Sequence, residues 1–260
     1  MRIKFYGLSH LRYILLITLL SSTVACVPAL KDSQIKKAEY HHRLAYGHFF
    51  ESGDSDAALQ EAILSLQFNP KVAEVHMLVG LIYTGRSDLL KALKHYRRAI
   101  ELKPNYYEAK NNLGTVYLSL NMWKKAIEVF SELSQIDEYR TPAMGYNNLG
   151  WAYFKLGEYK LAKKYFVNAT QLNPRLCPPH NNLGLSYIQL KDYERAERSL
   201  KAAIKICPQY AEPHLHLGQI YLLSAKSKKA LTALDNCRRL AKESEVGLRC
   251  TSLIKRENLN

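Results

Sequence analysis

The chain has 260 residues, 47% of them hydrophobic, so it can bury a core and an intrinsically disordered chain is excluded. Its 37 basic residues exceed its 23 acidic ones and give a formal net charge of +14, which points to an anionic partner or surface. Its five cysteines include no Cys-x-x-Cys pair, so a redox or zinc site has no support.

The first 25 residues have the organisation of a secretory signal peptide. Three basic residues precede a short apolar run, Tyr13 to Leu20, and small residues follow it. The run is too short for a transmembrane helix. Ala25 stands directly before Cys26, which resembles the bacterial lipobox, although Thr23 replaces its usual Leu. This resemblance implies lipid attachment at Cys26; the alternative is an ordinary secretory signal that ends near a cysteine.

The residue that follows Cys26 is Val27 rather than Asp. In the sorting rule of Gram-negative lipoproteins, this implies export to the periplasmic face of the outer membrane, where several acyl chains would anchor the protein stably. An exported chain meets little nucleic acid, so its basic surface is expected to face anionic lipid, an acidic envelope polymer or an acidic protein. Residues 26–38 are short and polar and predict a tether to the folded part.

From residue 39 the sequence repeats with a period of 34 residues, which predicts stacked supersecondary units. Alanine stands at position 20 of every unit, glycine at position 8 of the last five and an aromatic residue at position 11 of all six. The small residues predict a close approach of two helices in one hairpin, whereas position 11 and a large residue at position 24 are expected to fill the space between hairpins. The six units are 39–72, 73–106, 107–140, 143–176, 177–210 and 211–244.

The order Leu-Gly-x-x-Tyr, Ala, a large residue and Pro resembles the tetratricopeptide repeat over residues 39–244. It implies an all-α fold, a right-handed superhelical solenoid of six helical hairpins, with a capping helix and tail in residues 245–260. The third unit has Glu138 in place of Pro, and Thr141-Pro142 is an insertion that is expected to bend the superhelix.

Four cysteines remain once Cys26 is assigned to the lipid, in a compartment that permits disulfides. Cys237 and Cys250 would lie on consecutive antiparallel helices and are selected as the possible pair. Cys177 and Cys207 fall near the same end of one hairpin. Four buried thiols are the alternative.

No catalytic constellation is found in the sequence. His214 and His216 are two residues apart on a predicted helix and point to different faces, and no His-Glu-x-x-His, Gly-x-Ser-x-Gly or phosphate-binding glycine loop occurs. We therefore expect no metal, no cofactor and no enzyme activity. An envelope enzyme with a hidden site is the alternative from another class.

The resemblance places the first helix of each hairpin along a concave groove. Position 6 is Asn112, Asn148 and Asn182 in three consecutive units, and in peptide-binding members this asparagine pairs with an extended peptide backbone. The basic pairs of a clamp for a free C-terminal carboxylate are missing. The alternative interpretation is that these asparagines are merely common at this place in the repeat and have no role in binding. The apolar residues beside them complete the predicted peptide-binding groove: Trp151, Phe154, Leu185 and Ile188.

Six such repeats behind a lipobox also resemble the pilotin lipoproteins of type IV pilus systems. That resemblance implies a non-enzymatic protein that binds secretin subunits and promotes their localisation and multimerisation in the outer membrane. The alternative is a lipoprotein adaptor that holds cell-wall enzymes or another envelope complex.

Overall fold

The computed structural model describes residues 30–136 and 139–259. Within these ranges the secondary structure is entirely helical. The helices are α1 Asp32–Phe50, α2 Ser55–Phe68, α3 Ala73–Gly85, α4 Leu89–Leu102, α5 Tyr107–Ser119, α6 Trp123–Leu133, α7 Pro142–Lys155, α8 Tyr159–Leu172, α9 Cys177–Gln189, α10 Tyr193–Ile206, α11 Glu212–Leu223, α12 Ser227–Ala241 and α13 Glu245–Arg256.

The twelve helices α1 to α12 pack in consecutive pairs as six hairpins, which stack in chain order, and α13 packs against α12 and α11. From α3 onward, the first helices of successive hairpins also contact one another directly, so they lie on the inner side of the stack. The predicted all-α solenoid of six hairpins with a capping helix is confirmed.

The glycine at position 8 receives the large side chain at position 24 of the same hairpin. A Cβ on Gly114 would come within 2.6 Å of the Phe130 ring, and one on Gly150 within 2.8 Å of the Phe166 ring. The large residue therefore fills space inside its own hairpin. Phe166 also belongs to one buried cluster with Leu183 of the next hairpin, so the expectation that position 24 fills the space between hairpins was incomplete. The glycine leaves a hollow on the first helix, and that hollow is where the ring fits.

The tyrosine at position 11 does lie between hairpins, as expected. The Tyr117 hydroxyl accepts a hydrogen bond from Arg97 Nη2 on the preceding hairpin, at 2.8 Å. The Tyr221 hydroxyl donates to Glu197 Oε1, again on the preceding hairpin, at 2.8 Å. Each bond ties one hairpin to the next.

The N-terminal boundary differs from the prediction. Helix α1 begins at Asp32, so residues 32–38 of the predicted tether are helical. Asp32 suits the first turn of a helix, and Ala38 is buried with its carbonyl accepting from Ser65 Oγ at 2.8 Å. A contact with the second helix therefore extends the first one. Cys26, the signal peptide in residues 1–25 and tether residues 26–29 lie outside the described residues, as does Glu138.

The insertion Thr141-Pro142 forms the start of α7, with Pro142 as its first residue. Just before it, Tyr139 is buried, and a Cβ on Gly145 of α7 would lie within 2.8 Å of the Tyr139 ring. The inserted residues therefore lengthen the connection between α6 and α7 while the Tyr139 side chain keeps it packed.

The four cysteines of the repeat region are paired. Cys237 is joined to Cys250, the pair selected from the sequence, and Cys177 is joined to Cys207, with Cα atoms 6.3 and 6.1 Å apart. The first bond ties α13 to α12, and the second links the start of α9 to the end of α10.

Histidine at position 4 of a unit stabilises the connection between units. His76 Nε2 lies 3.1 Å from the carbonyl oxygen of Pro70, and His180 Nε2 lies 3.0 Å from that of Pro174. Each ring reaches back to the proline that ends the preceding unit. No helix within the described ranges has a stretch apolar and long enough to cross a bilayer.

Candidate binding groove

A continuous run of side-chain hydrogen bonds links α7, α9 and α11 along the inner side of the stack. Asn182 Nδ2 donates to Asn147 Oδ1 at 3.0 Å, and His216 Nδ1 lies 2.9 Å from Asn181 Oδ1. Within each asparagine pair, Asn147 donates to Asn148 and Asn181 donates to Asn182, both at 3.4 Å. We call these five residues the amide chain.

The amide chain fixes the protonation of its histidine. Because Asn181 Oδ1 can only accept, Nδ1 of His216 carries the proton. Burial, together with the nearby Arg249, lowers the pKa of His216 to about 4, so the ring is neutral at pH 7. Asn147, Asn181 and His216 are all buried, and each finds its partner within the chain.

The asparagines at position 6 have different environments. The structure brings Asn148 and Asn182 together through Asn147 of position 5. Asn112 lies one unit earlier on α5, half-buried. The side-chain oxygen of its neighbour Asn111 accepts a hydrogen bond from the Tyr139 hydroxyl at 2.8 Å. By analogy with Asn147 and Asn182, the donor at this place would have been Asn148. The buried tyrosine before α7 therefore ends the amide chain at α7.

Aromatic side chains lie beside the first end of the amide chain. The rings of Trp151 and Phe154 are stacked with their centroids 5.4 Å apart, and Tyr159 meets Phe154 edge-on at 5.2 Å. Lys155 Nζ lies 5.2 Å from the centre of the Trp151 ring and 5.7 Å from that of Trp123. This half-buried platform offers a flat apolar surface with a cation at its edge.

The other two predicted apolar residues, Leu185 and Ile188, are half-buried on α9. Ile188 lines a depression of about 470 Å³ together with Leu222 of α11 and Leu253 of α13. Gln219, Arg256 and Glu257 lie at its polar side. Of the four predicted apolar residues, Trp151 and Phe154 therefore form the platform on α7, and Ile188 lines a depression that reaches the capping helix, whereas Leu185 is not part of its lining.

Sequence reasoning did not identify the buried partners Asn147, Asn181 and His216, nor the contribution of α13. The doubled asparagine in three successive units carried a signal, because position 5 is as regular as position 6 there. The register of α13 carried another. If Glu245 is counted as position 1 of a further unit, Leu253 falls at position 9, where Trp151 and Leu185 stand.

The asparagines at position 6 keep hydrogen-bonding groups that the fold itself does not use. An amide side chain has two N–H groups and two lone pairs. The amide chain uses one lone pair of Asn148, and one donor and one lone pair of Asn182, so both keep groups for a peptide backbone. Across the described residues, no cluster of three metal-ligating side chains occurs.

Comparison with known proteins agrees with this architecture. The family model described as tetratricopeptide repeat matches residues 143–176, and one described as TPR repeat matches residues 80–121 and 184–224. The curated relative Superkiller protein 3 of Schizosaccharomyces pombe is 26% identical over 119 residues, which are 43% of this chain and only 8% of that protein.

Two solved structures share the fold over most of its length. PilW, described as a widely conserved type IV pilus biogenesis factor, has a TM-score of 0.73 and 21% identity, covering 83% of this chain and 98% of PilW. PilF of Pseudomonas aeruginosa has a TM-score of 0.71 and 17% identity, covering 86% of this chain and 99% of PilF. The chain therefore contains tetratricopeptide repeats, and its fold is similar to that of PilW and PilF.

Proposed function

We propose that this protein is a non-enzymatic, lipid-anchored binding protein that holds secretin subunits in its groove. It promotes their localisation and multimerisation in the outer membrane during type IV pilus biogenesis. The observation that carries the proposal is the match in fold to PilW and PilF over nearly their whole length. Shared fold alone does not fix a client, so the groove supplies the rest of the argument.

The groove suits an extended segment of an unassembled subunit. Free donor and acceptor groups on Asn148 and Asn182 can pair with its backbone, while the platform of Trp151 and Phe154 covers its apolar side chains. The amide chain holds the asparagines in place before binding, which reduces the entropy lost on association. Masking such a segment would keep subunits apart until they reach the membrane.

Anchoring is assigned to Cys26, which the lipobox pattern selects. Acyl chains on this residue would carry the bound subunit to the outer membrane. Replacing Cys26 by Ala is expected to move the protein out of the outer-membrane fraction while its helical circular dichroism stays unchanged. An acyl-free variant that still fractionates with outer membranes would contradict the anchor.

The function is tested by deleting the gene in the source organism and following heat-resistant secretin multimers on gels. We expect multimers to disappear while secretin monomer persists at the inner membrane. Wild-type protein should restore them, the double variant Asn148→Ala with Trp151→Ala should not, and the exposed second-helix variant Arg198→Ala should. Normal multimers in the deletion strain would overturn the proposal and direct the search to cell-wall enzymes.

A further inference from the structure

We propose that the groove ends in a site for acidic side chains, formed by α9, α11 and α13. It recognises an extended protein segment in which apolar side chains are followed by two carboxylates. The inference rests on the proposed groove binding and specifies the chemistry of the segment that is bound.

Helix α13 acts as the first helix of a seventh, incomplete unit. It contacts α11, as the earlier first helices contact one another, and its bond from Cys250 to Cys237 ties it to α12. In this register Arg249 stands at position 5 and Arg256 at position 12. Position 5 is held by the buried asparagines in units 4 and 5, whereas Arg249, on the last described helix, is exposed.

The apolar part of the site is the depression lined by Ile188, Leu222 and Leu253. A smaller depression of about 260 Å³ adjoins it, lined by Gln219, Arg249, Ser252, Leu253 and Arg256. An apolar floor therefore continues directly into a surface of hydrogen-bond donors. Such an arrangement accepts an apolar side chain and, beside it, an anion.

Charge on the inner helices favours acidic ligands at this end. Helix α9 has no Asp, Glu, Lys or Arg, and α7 has Lys155 alone. The acids of α11 and α13 are Glu212 and Glu245, each the first residue of its helix. Glu257, which directly follows α13, also lines the apolar depression and is paired with Arg256. The basic residues of α13 lie in its second half or centre, so its inner surface is positive.

The two arginines differ in how far they are already paired. Arg256 Nε donates to its neighbour Glu257 at 2.8 Å, an exposed contact of small energetic weight. Arg249 forms no ion pair within the described part of the chain. It lines the smaller depression together with Gln219 of α11, the helix that also carries His216, the last member of the amide chain. An available guanidinium therefore lies beside the helix on which the amide chain ends.

The spacing of the arginines selects side-chain carboxylates over a chain terminus. Arg249 and Arg256 are seven residues apart, which is about 10 Å along a helix. Side chains two or three residues apart in an extended segment are separated by about 7 to 10 Å, so two acidic side chains can meet both arginines. A single terminal carboxylate can meet only one.

The test measures binding of short peptides to the full chain by fluorescence anisotropy. The probe is N-acetylated and C-terminally amidated, with two leucines followed by Asp-Thr-Asp. Its matched partner carries Asn-Thr-Asn and a free C-terminal carboxylate. We expect the acidic amide to bind about tenfold more tightly, and this advantage to shrink as salt is raised. Equal affinities, or preference for the Asn-Thr-Asn peptide with its free C-terminus, would overturn the proposal.

The protein side of the test uses Arg249→Gln with Arg256→Gln. The matched control is Lys160→Gln with Arg198→Gln, which removes the same charge from exposed sites on second helices. The variant without the two arginines should lose about tenfold in affinity for the acidic peptide and little for the Asn-Thr-Asn peptide. Equal losses of affinity in the two variants would show that only the net charge matters, and would overturn the proposed site.

The outcomes separate this inference from the proposed function. If Asn148→Ala with Trp151→Ala weakens peptide binding but Arg249→Gln with Arg256→Gln does not, binding in the groove is supported and the acidic site is refuted. If that arginine variant loses affinity for the acidic peptide alone, while secretin multimers form without the protein, the acidic site is supported and the pilus role is refuted.

Discussion

At the residue scale, the amide chain explains why asparagine is doubled on α7 and α9. The residue at position 5 is buried and bridges to the next unit, while the residue at position 6 keeps donors and acceptors toward the groove. A buried amide without partners would destabilise the fold, so the inner asparagine supports the outer one. Substitutions at Asn147 or Asn181 would therefore weaken binding by displacing Asn148 or Asn182, not by removing a direct contact with the bound segment.

The hydroxyl of Ser186 is the opposite case, because it is fully buried and has no hydrogen-bond partner within the described residues. Ala152 occupies the corresponding place on α7 and is equally buried. We expect Ser186→Ala to raise the free energy of unfolding by about 1 kcal/mol in urea titrations, since an unpaired polar group is removed. The converse change, Ala152→Ser, should lower it by a similar amount. A loss of stability in Ser186→Ala would mean that the hydroxyl is paired in solution.

At the scale of elements, the repeat period was enough to predict the hairpins. Each of the six predicted units holds two of the helices α1 to α12, and only α1 and α7 begin before their units. The period predicts them because glycine, alanine and proline recur at places where only one packing arrangement tolerates them. The start of α1 was missed because it depends on the hydrogen bond from Ser65 to the carbonyl of Ala38, and these two residues are 27 positions apart. The far end of the groove was missed because the role of Arg249 depends on which helices surround α13.

The hollow at position 8 gives a direct test of hairpin packing. A Cβ at position 150 would lie 2.8 Å from the Phe166 ring and 3.2 Å from the backbone oxygen of Ala162. Gly150→Ala is therefore expected to cost about 1–3 kcal/mol of stability, measured by urea unfolding. Gly85→Ala is the control, since nothing lies within 4 Å of its Cβ, and it should be neutral or slightly stabilising. Equal effects of the two changes would show that the ring can move aside.

The capping helix depends on its bond to α12. Cys237 and Cys250 are 13 residues apart, and closing a loop of that length stabilises a protein by about 3 kcal/mol. Replacing both by Ser should lower the thermal midpoint and speed amide hydrogen exchange in residues 245–256. Replacing Cys177 and Cys207 instead should lower the midpoint but leave exchange in α13 unchanged. Unaltered exchange in the first variant would show that packing alone holds α13.

At the scale of the whole molecule, stability is spread along the stack, because each hairpin contacts mainly its neighbours. Histidines whose pKa is lowered by burial occur near both ends: His42 on α1, His76 on α3, His95 on α4, and His214 and His216 on α11. All five shifts have the same sign. Acid should therefore weaken the stack at both ends rather than at one point.

The sign of this effect follows from proton linkage. Unfolded histidines bind a proton below their ordinary pKa of 6.5, whereas folded His216 stays neutral down to about 4. Its contribution is complete above pH 6.5 and is lost as the pH falls toward 4, because the unfolded state then binds more protons. The carboxyl of Glu197, whose pKa is lowered by the hydrogen bond from Lys201, matters only below its ordinary value of 4.5.

We therefore expect the free energy of unfolding to be lower at pH 5.0 than at pH 7.5, with about 2 kcal/mol of the loss due to His216. His216→Asn isolates this share, because asparagine already stands at position 6 in units 3 to 5 and its amide can donate to Asn181 without titrating. Urea unfolding at the two pH values should show a smaller difference in this variant than in the wild type. If the free energy of unfolding falls by the same amount in both proteins, the acid sensitivity arises from the other four histidines. If it falls in neither, the histidine rings are solvated in the folded chain.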